Sequence, residues 1–443
     1  MKRRHTVTLM LLALGCFALL GINSEMGIPM IRAFSKVFAY DATTTPTRRT
    51  IYYVITFLFA IPSALVSRRL GLRATMLIGL CMFAGGALSS LPATQISSMT
   101  PFLVGLAFMS AGLALTESAA LAVTINMGKR RSSLTRLFIG KLFETLGYTT
   151  GYIMMAYFVD LRLFDNGAVE QSQMDSLYYE AAMRTDLMTV AVPYIWIGAA
   201  ACIMAVIAAL QEINDMTPDR PHIHKLSEIN RGLLSDKTYL RGALTMAAYL
   251  MIVSIIWYGI YSQSYEDLLE ARPNASALEA ATYTRQMVMT TLIVFIAGRI
   301  VGIFVSLSKR HQPHAILIGA SIGVFVLSVA STVAPGEIST WLLIISTFFL
   351  AFIHPTIIEL STSHMDRETV VMATPGIVMG TIGGLAGWLI NFNIEDSNMR
   401  TLFIAVAVGG IAMYGGWHCL TTKQILTTRQ ASEPKAQTTG DNA

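Results

Sequence analysis

Long apolar stretches alternate with short polar ones along almost the whole chain. Twelve of them are long enough for membrane helices, at roughly 7–31, 50–67, 74–93, 101–126, 137–160, 187–210, 242–264, 287–308, 315–334, 340–364, 371–394 and 401–421. The pattern predicts an all-α integral membrane protein with twelve transmembrane helices. One long polar piece, 211–241, separates the sixth span from the seventh and carries two prolines and mixed charge. The expected organisation is a six-helix half over 1–210, a linker over 211–241, a second six-helix half over 242–421 and a polar tail over 422–443. Two such halves, with a substrate site between them near the midplane, are the arrangement expected of a secondary transporter.

Charge sets the orientation. With the N-terminus inside, the inner connections hold 21 Lys and Arg, the outer ones 9 and the spans 2, out of 32. Inner loops collect positive charge, so both termini and the linker are expected in the cytoplasm. The clusters Lys2-Arg3-Arg4, Arg68-Arg69 with Arg73, and Lys129-Arg130-Arg131 with Arg136 are then topology anchors. They account for the net charge of +5 without nucleic acid. Composition agrees, with 53% hydrophobic and 13% charged residues, against about 25% charged in a soluble domain. Cys16, Cys81, Cys202 and Cys419 all lie in apolar segments, which suggests no disulfide framework. The N-terminus resembles a signal peptide, with KRR, an apolar run and LALGC, but the apolar run continues past Cys16 and is read as an uncleaved first helix.

Charged residues inside the spans carry the chemistry. Glu117 is the one charged residue of Pro101–Asn126, a run of 26 residues. An acid near the middle of a bilayer helix costs roughly 2.5–3.5 kcal/mol on insertion scales, so it is expected to face a wet or protein-lined interior. Glu25 repeats the anomaly in the first segment, with Gly27 and Pro29 just beyond it. Desolvation favours the protonated form of such carboxylates, the property that proton coupling needs. Glu25 and Glu117 are therefore the expected proton carriers, although the same oxygens suit hydrogen bonds to a polyol. Lys141 and Glu144, three apart, share a face of segment five. Arg299 is central in segment eight and needs an acid, carbonyls or an anionic solute; Glu359 in segment ten is one candidate partner. Trp257 and Tyr261 are four apart in segment seven and present a shared face for stacking on a sugar ring, or for packing. Asn23 and His354 complete the polar set assigned to substrate or ion-pair contact.

Other features exclude functions. There is no P-loop, no HExxH and no nucleophile elbow, so the chain is not expected to be an enzyme or to use ATP. His222-x-His224 offers two metal ligands without a third, and neither metal nor cofactor is expected. Segment eleven places glycines at 376, 380, 383, 384 and 387, a side-chain-poor face for helix packing or for sliding.

Five motifs together resemble the fucose permease-like branch of the major facilitator superfamily, the fucose–proton symporters. They are Glu25 four residues before Pro29; Ala111-Gly112-Leu113 leading to Glu117-Ser118-Ala119-Ala120; Arg136, Phe143 and Gly147 in segment five; Gly298-Arg299 with Gly302; and Pro355-Thr356-Ile357. The resemblance spans nearly all twelve segments. It implies the major facilitator fold, proton-coupled uptake of a sugar or similar small polar solute by alternating access, monomeric action and residence in a bacterial inner membrane. It also implies that Glu25 and Glu117 match the family's two membrane acids. Lys141 and Glu144 replace the neutral Gln and Asn of the sugar permeases, and Glu359 stands where that family is usually uncharged. These departures open the site to an anionic or amine-bearing solute. The loop Ser67–Arg73 resembles the superfamily's loop motif but lacks its aspartate. Efflux by proton antiport, which uses the same buried acids, and a non-transporting sensor or scaffold are the alternatives.

Overall fold

A computed structural model describes residues 3–25, 45–96, 99–160, 176–211, 232–308, 312–394 and 396–432, and among these the regular structure is entirely helical. The helices are α1 (Arg3–Glu25), α2 (Thr45–Leu88), α3 (Ser90–Ile96), α4 (Met99–Asn126), α5 (Ser133–Ile153), α6 (Ser176–Leu210), α7 (Lys237–Ala271), α8 (Ala277–Leu307), α9 (Pro313–Val333), α10 (Glu337–Thr362), α11 (Arg367–Val378), α12 (Ile382–Asn393) and α13 (Ser397–Ser432). Each apolar segment read from the sequence is helical over nearly all of its described residues, the exceptions being the turn at Ser89 and a residue or two at the ends of the segments. Gly27, Pro29, the side chain of Glu25 and most of the linker, His222 and His224 included, lie outside the described residues.

Ten of the described helical stretches are long and apolar enough to cross a bilayer. One of them, Arg49–Ile96, holds two expected segments. It is broken at Gly71, whose φ of 83° lies where only glycine is unstrained. The break falls within the basic loop Ser67–Arg73. There Ser67 Oγ lies 3.0 Å from Thr75 Oγ1, and Arg73 donates to the Ala209 carbonyl of α6. The segment missing from the ten is α5 with its π-helical continuation Met154–Asp160. Arg136, Lys141 and Glu144 lower its apolarity, so the segment that carries an ion pair within its span is the one that composition alone passes over.

Two close helix contacts position the site. Gly147 and Gly151 of α5 press against the backbone of Ala18 and Ile22 of α1, and Gly21 of α1 against that of Glu144. No Cβ fits at these places, so α1 and α5 meet backbone to backbone. This brings Asn23 and Glu144 to one wall. The second contact uses the segment-eleven glycines. Gly376, Gly380, Gly383 and Gly387 lie on Tyr239, Met246, Ala247 and Met251 of α7, while Gly384 lies under the Tyr53 ring of α2. The side-chain-poor face is therefore a packing face toward α7, and one glycine of the run faces the other way.

At the basic end of the bundle, helices of the first six segments meet those of the last six. Phe138 and Phe352 form an edge-on ring pair at 6.1 Å, Ser133 Oγ donates to Glu359 Oε2 at 2.6 Å, and Ser306 Oγ bonds Thr135 Oγ1 at 3.0 Å. Asn126 Nδ2 donates to the Arg367 carbonyl at 2.9 Å, and Arg130 to that of Thr362.

Candidate functional site

A cavity of about 180 Å³ lies between these helices. Its walls come from α1, α2, α4 and α5 on one side, and from α7, α8, α10, α11 and α12 with the 3-10 turn between them on the other. An interior site bounded by both sets of helices is the expected place for a transported solute.

The first wall carries a three-membered charge cluster. Lys141 Nζ lies 2.5 Å from Glu144 Oε2 and 3.1 Å from Glu117 Oε1. Tyr148 donates its hydroxyl to the other oxygen of Glu144. The helical rise brings Glu144 and Tyr148, four apart, onto the face that carries Lys141. The Lys141 ammonium also stands over the Phe17 ring, 5.3 Å from its centre. Exposure divides the roles. The Lys141 side chain is sealed at 0% and Glu144 is nearly so at 8%, while Glu117 keeps 16% and faces the cavity. A solute or a proton entering the cavity therefore meets Glu117 before Lys141. A lone buried ion would be costly; the cluster is tolerated because each charge has a partner and further hydrogen bonds.

Asn23 lines the same wall. It is 1% exposed, and among the described residues neither atom of its amide has a hydrogen-bond partner. Ser24 Oγ, one residue on, sits 3.4 Å from Tyr52 Oη.

The opposite wall is aromatic and cationic. Arg299 of α8 is 2% exposed, donates through Nη1 to the Ala351 carbonyl and lies over the Phe295 ring at 4.9 Å. His354 of α10 faces the cavity with its ring 5.3 Å from that of Tyr249. Trp257 is set edge-on to Phe295 at 6.0 Å and offers its other surface to the cavity. Tyr53 and Ser254, from α2 and α7, approach to 3.4 Å between their hydroxyls and so bridge the two walls.

Seven of the ten residues expected from the sequence meet around this cavity: Asn23, Glu117, Glu144, Trp257, Arg299 and His354 line it, and Lys141 sits directly behind the two glutamates. Two of the other three, Tyr261 and Glu359, do not join them. Glu25 ends α1 with its side chain outside the described residues. Tyr261, one turn beyond Trp257, packs on a small cluster with Tyr152, Val288 and Leu292 instead. Glu359 accepts from Ser133 at the basic end, and Arg299 uses a backbone carbonyl, so the pairing considered for these two is not made. The sequence reading missed Arg49, Tyr52, Tyr53 and Tyr148. Only Tyr148 carried a usable signal, its spacing of four from Glu144.

The comparisons agree with this architecture. The family model described as Major Facilitator Superfamily matches residues 12–388. The L-fucose-proton symporter of Escherichia coli (strain K12) is 25% identical over 374 residues, 83% of this chain and 82% of that one. A glucose/galactose transporter of Brucella abortus is 20% identical over 395 residues, 87% and 88% of the two chains. The crystal structure of the transporter FucP in the outward conformation superposes with a TM-score of 0.79 at 20% identity, covering 94% of this chain and 99% of that one. This chain is thus a multi-pass membrane transporter, not an enzyme, and it belongs to the Major Facilitator Superfamily.

Proposed function

We propose that this protein is a proton-coupled symporter of a small polyhydroxylated solute. Two six-helix halves, 1–210 and 242–421, rock about the cavity and are joined by the linker 211–241. Work as a monomer in a bacterial inner membrane, with both termini cytoplasmic, completes the reading. The names of its relatives, a fucose–proton symporter and a glucose/galactose transporter, support the solute class.

The observation that carries the proposal is the placement of Glu117. Its carboxylate faces the cavity while its cation, Lys141, has a second carboxylate at 2.5 Å to fall back on. Protonation of Glu117 removes its charge-assisted bond to Lys141, which then remains with Glu144. The neutral Glu117 becomes a hydrogen-bond donor as well as an acceptor, which suits a sugar hydroxyl. Release of solute to a more alkaline side lets Glu117 ionise and return to Lys141. A proton is thereby tied to the occupied cavity, as symport requires.

The test is Glu117→Gln in proteoliposomes. Glutamine keeps the size and hydrogen bonding of a protonated glutamate but never releases a proton. Accumulation driven by an inward pH gradient is expected to disappear, while exchange of labelled for unlabelled solute at equal pH persists. Gradient-driven uptake equal to that of the unmodified protein would remove Glu117 from the coupling. Solute expelled by an inward proton gradient would instead establish antiport.

A further inference from the structure

Among the described residues, the guanidinium on the wall opposite Glu117 has no acid partner. Among the described residues no carboxylate lies within ion-pair distance of Arg299; its contacts are the Ala351 carbonyl, the Phe295 ring and Tyr249. Its Nε has no hydrogen-bond partner there, although the residue is 2% exposed and lines the cavity. The two glutamates of the cavity are already held by Lys141 and Tyr148. A carbonyl and a ring lower the cost of a buried guanidinium, but neither supplies a negative charge. Beside it His354 turns its ring to the same space, and across it Asn23 presents an amide with no partner on either atom among the described residues.

We infer that the transported solute is a singly charged sugar acid, its carboxylate held by Arg299 and its hydroxyls by Asn23 and Glu117. Charge balance supports this class over a neutral sugar. The charges of Glu117, Glu144, Lys141 and Arg299, the four set deepest against the cavity among the described residues, cancel. Protonating Glu117 leaves one positive charge over, and a monoanion restores neutrality where a neutral hexose does not. Arg49, half-buried and also on the lining, adds attraction for an anion at the rim. Planar, forked recognition of a carboxylate is the use for which a guanidinium is best shaped.

The inference rests on the symport reading, and one experiment separates their failures. The purified full-length protein in proteoliposomes, with a pH-sensitive dye inside, receives galacturonate, glucuronate, galactose, glucose or fucose outside. Binding of each solute is read separately from the shift in melting temperature in detergent. The expected result is that a hexuronate acidifies the interior and stabilises the protein, at least tenfold more effectively than the matching hexose. Arg299→Gln is expected to weaken hexuronate binding by about 10- to 100-fold, the loss of one charge-assisted interaction. Arg299→Lys, which keeps the charge but not the fork, should recover part of it, a rescue that a purely structural arginine would not give. Hexuronate uptake without internal acidification would overturn symport and leave the anion site standing. Acidification by a neutral hexose with no response to either hexuronate would overturn the anion site and leave symport standing. Silence toward both hexuronates in uptake and in melting would also overturn it.

Discussion

Lys141 holds two carboxylates that would otherwise repel each other inside a membrane. Removing one partner of a buried charge set costs about 3–5 kcal/mol, because the remaining charge is left uncompensated. Lys141→Met is therefore expected to lower the melting temperature in detergent sharply. Adding Glu144→Gln to it should restore part of the loss, since one of the two stranded acids is gone; equal melting of the single and double variants would show that Lys141 acts through packing. These residues were legible in the sequence because charge stands out against an apolar background. Tyr52, Tyr53 and Arg49 were not, because tyrosines and arginines near the ends of membrane segments look like interfacial anchors. Tyr261 misled for a different reason. Helical spacing puts it on the face of Trp257, but at its level α5 and α8 close over that face. Glu359 shows the same limit, because five residues beyond His354 the helix has left the cavity for the basic end.

At the scale of elements, the segments themselves were readable and their contacts were not. An apolar run of about 20 residues identifies a membrane helix whatever it packs against. The glycines of segment eleven announced a close approach without saying to what; α7 takes four of them and Tyr53 the fifth. The α1–α5 contact makes a sharper prediction. Gly147→Val inserts a branched side chain where α1 backbone already lies, and overpacking of this kind costs about 1–3 kcal/mol. It should lower the melting temperature and, by prising Asn23 from Glu144, weaken solute binding. Gly409→Ala of α13, where nothing stands within 4 Å of a new Cβ, should do neither. Helix starts carry a further test. Asp236 caps α7 by accepting from Thr238 and Tyr239, and pairs with His364 Nε2 at 2.5 Å. Partial burial pushes its carboxyl up, but His364 and the two backbone N–H groups pull it down further, so the net direction is below the ordinary carboxylate range. A lowered acid stabilises the fold above its unfolded value, near 4, and loses that contribution as pH falls through the folded value. Asp236→Ala should cost about 1 kcal/mol at neutral pH. The gap to the unmodified protein should narrow as pH drops below about 4; a gap constant from pH 7 to pH 3 would mean that the aspartate's charge contributes nothing.

The whole molecule pairs helices of its two sets at the basic end through rings and hydrogen bonds, and around the cavity through the Tyr53–Ser254 bridge. In the proposed cycle, rocking exchanges the first set of contacts for others, so Ser133–Glu359 and Phe138–Phe352 would be broken in each turn. The balanced charges beside the cavity have a consequence at this scale too. Moving one elementary charge across a membrane at 100 mV is worth about 2.3 kcal/mol. Lys141, Arg299, Glu117 and Glu144 together add no net charge to the return of the empty carrier, so that set does not sense the voltage. A proton travelling with a neutral hexose moves one charge inward per cycle, so that uptake would draw a current and quicken as the interior becomes more negative. A proton travelling with a hexuronate moves none. Recordings from protein-loaded membranes should therefore find hexuronate uptake electrically silent and indifferent to the resting potential, leaving the pH difference as the sole force that fills the cell.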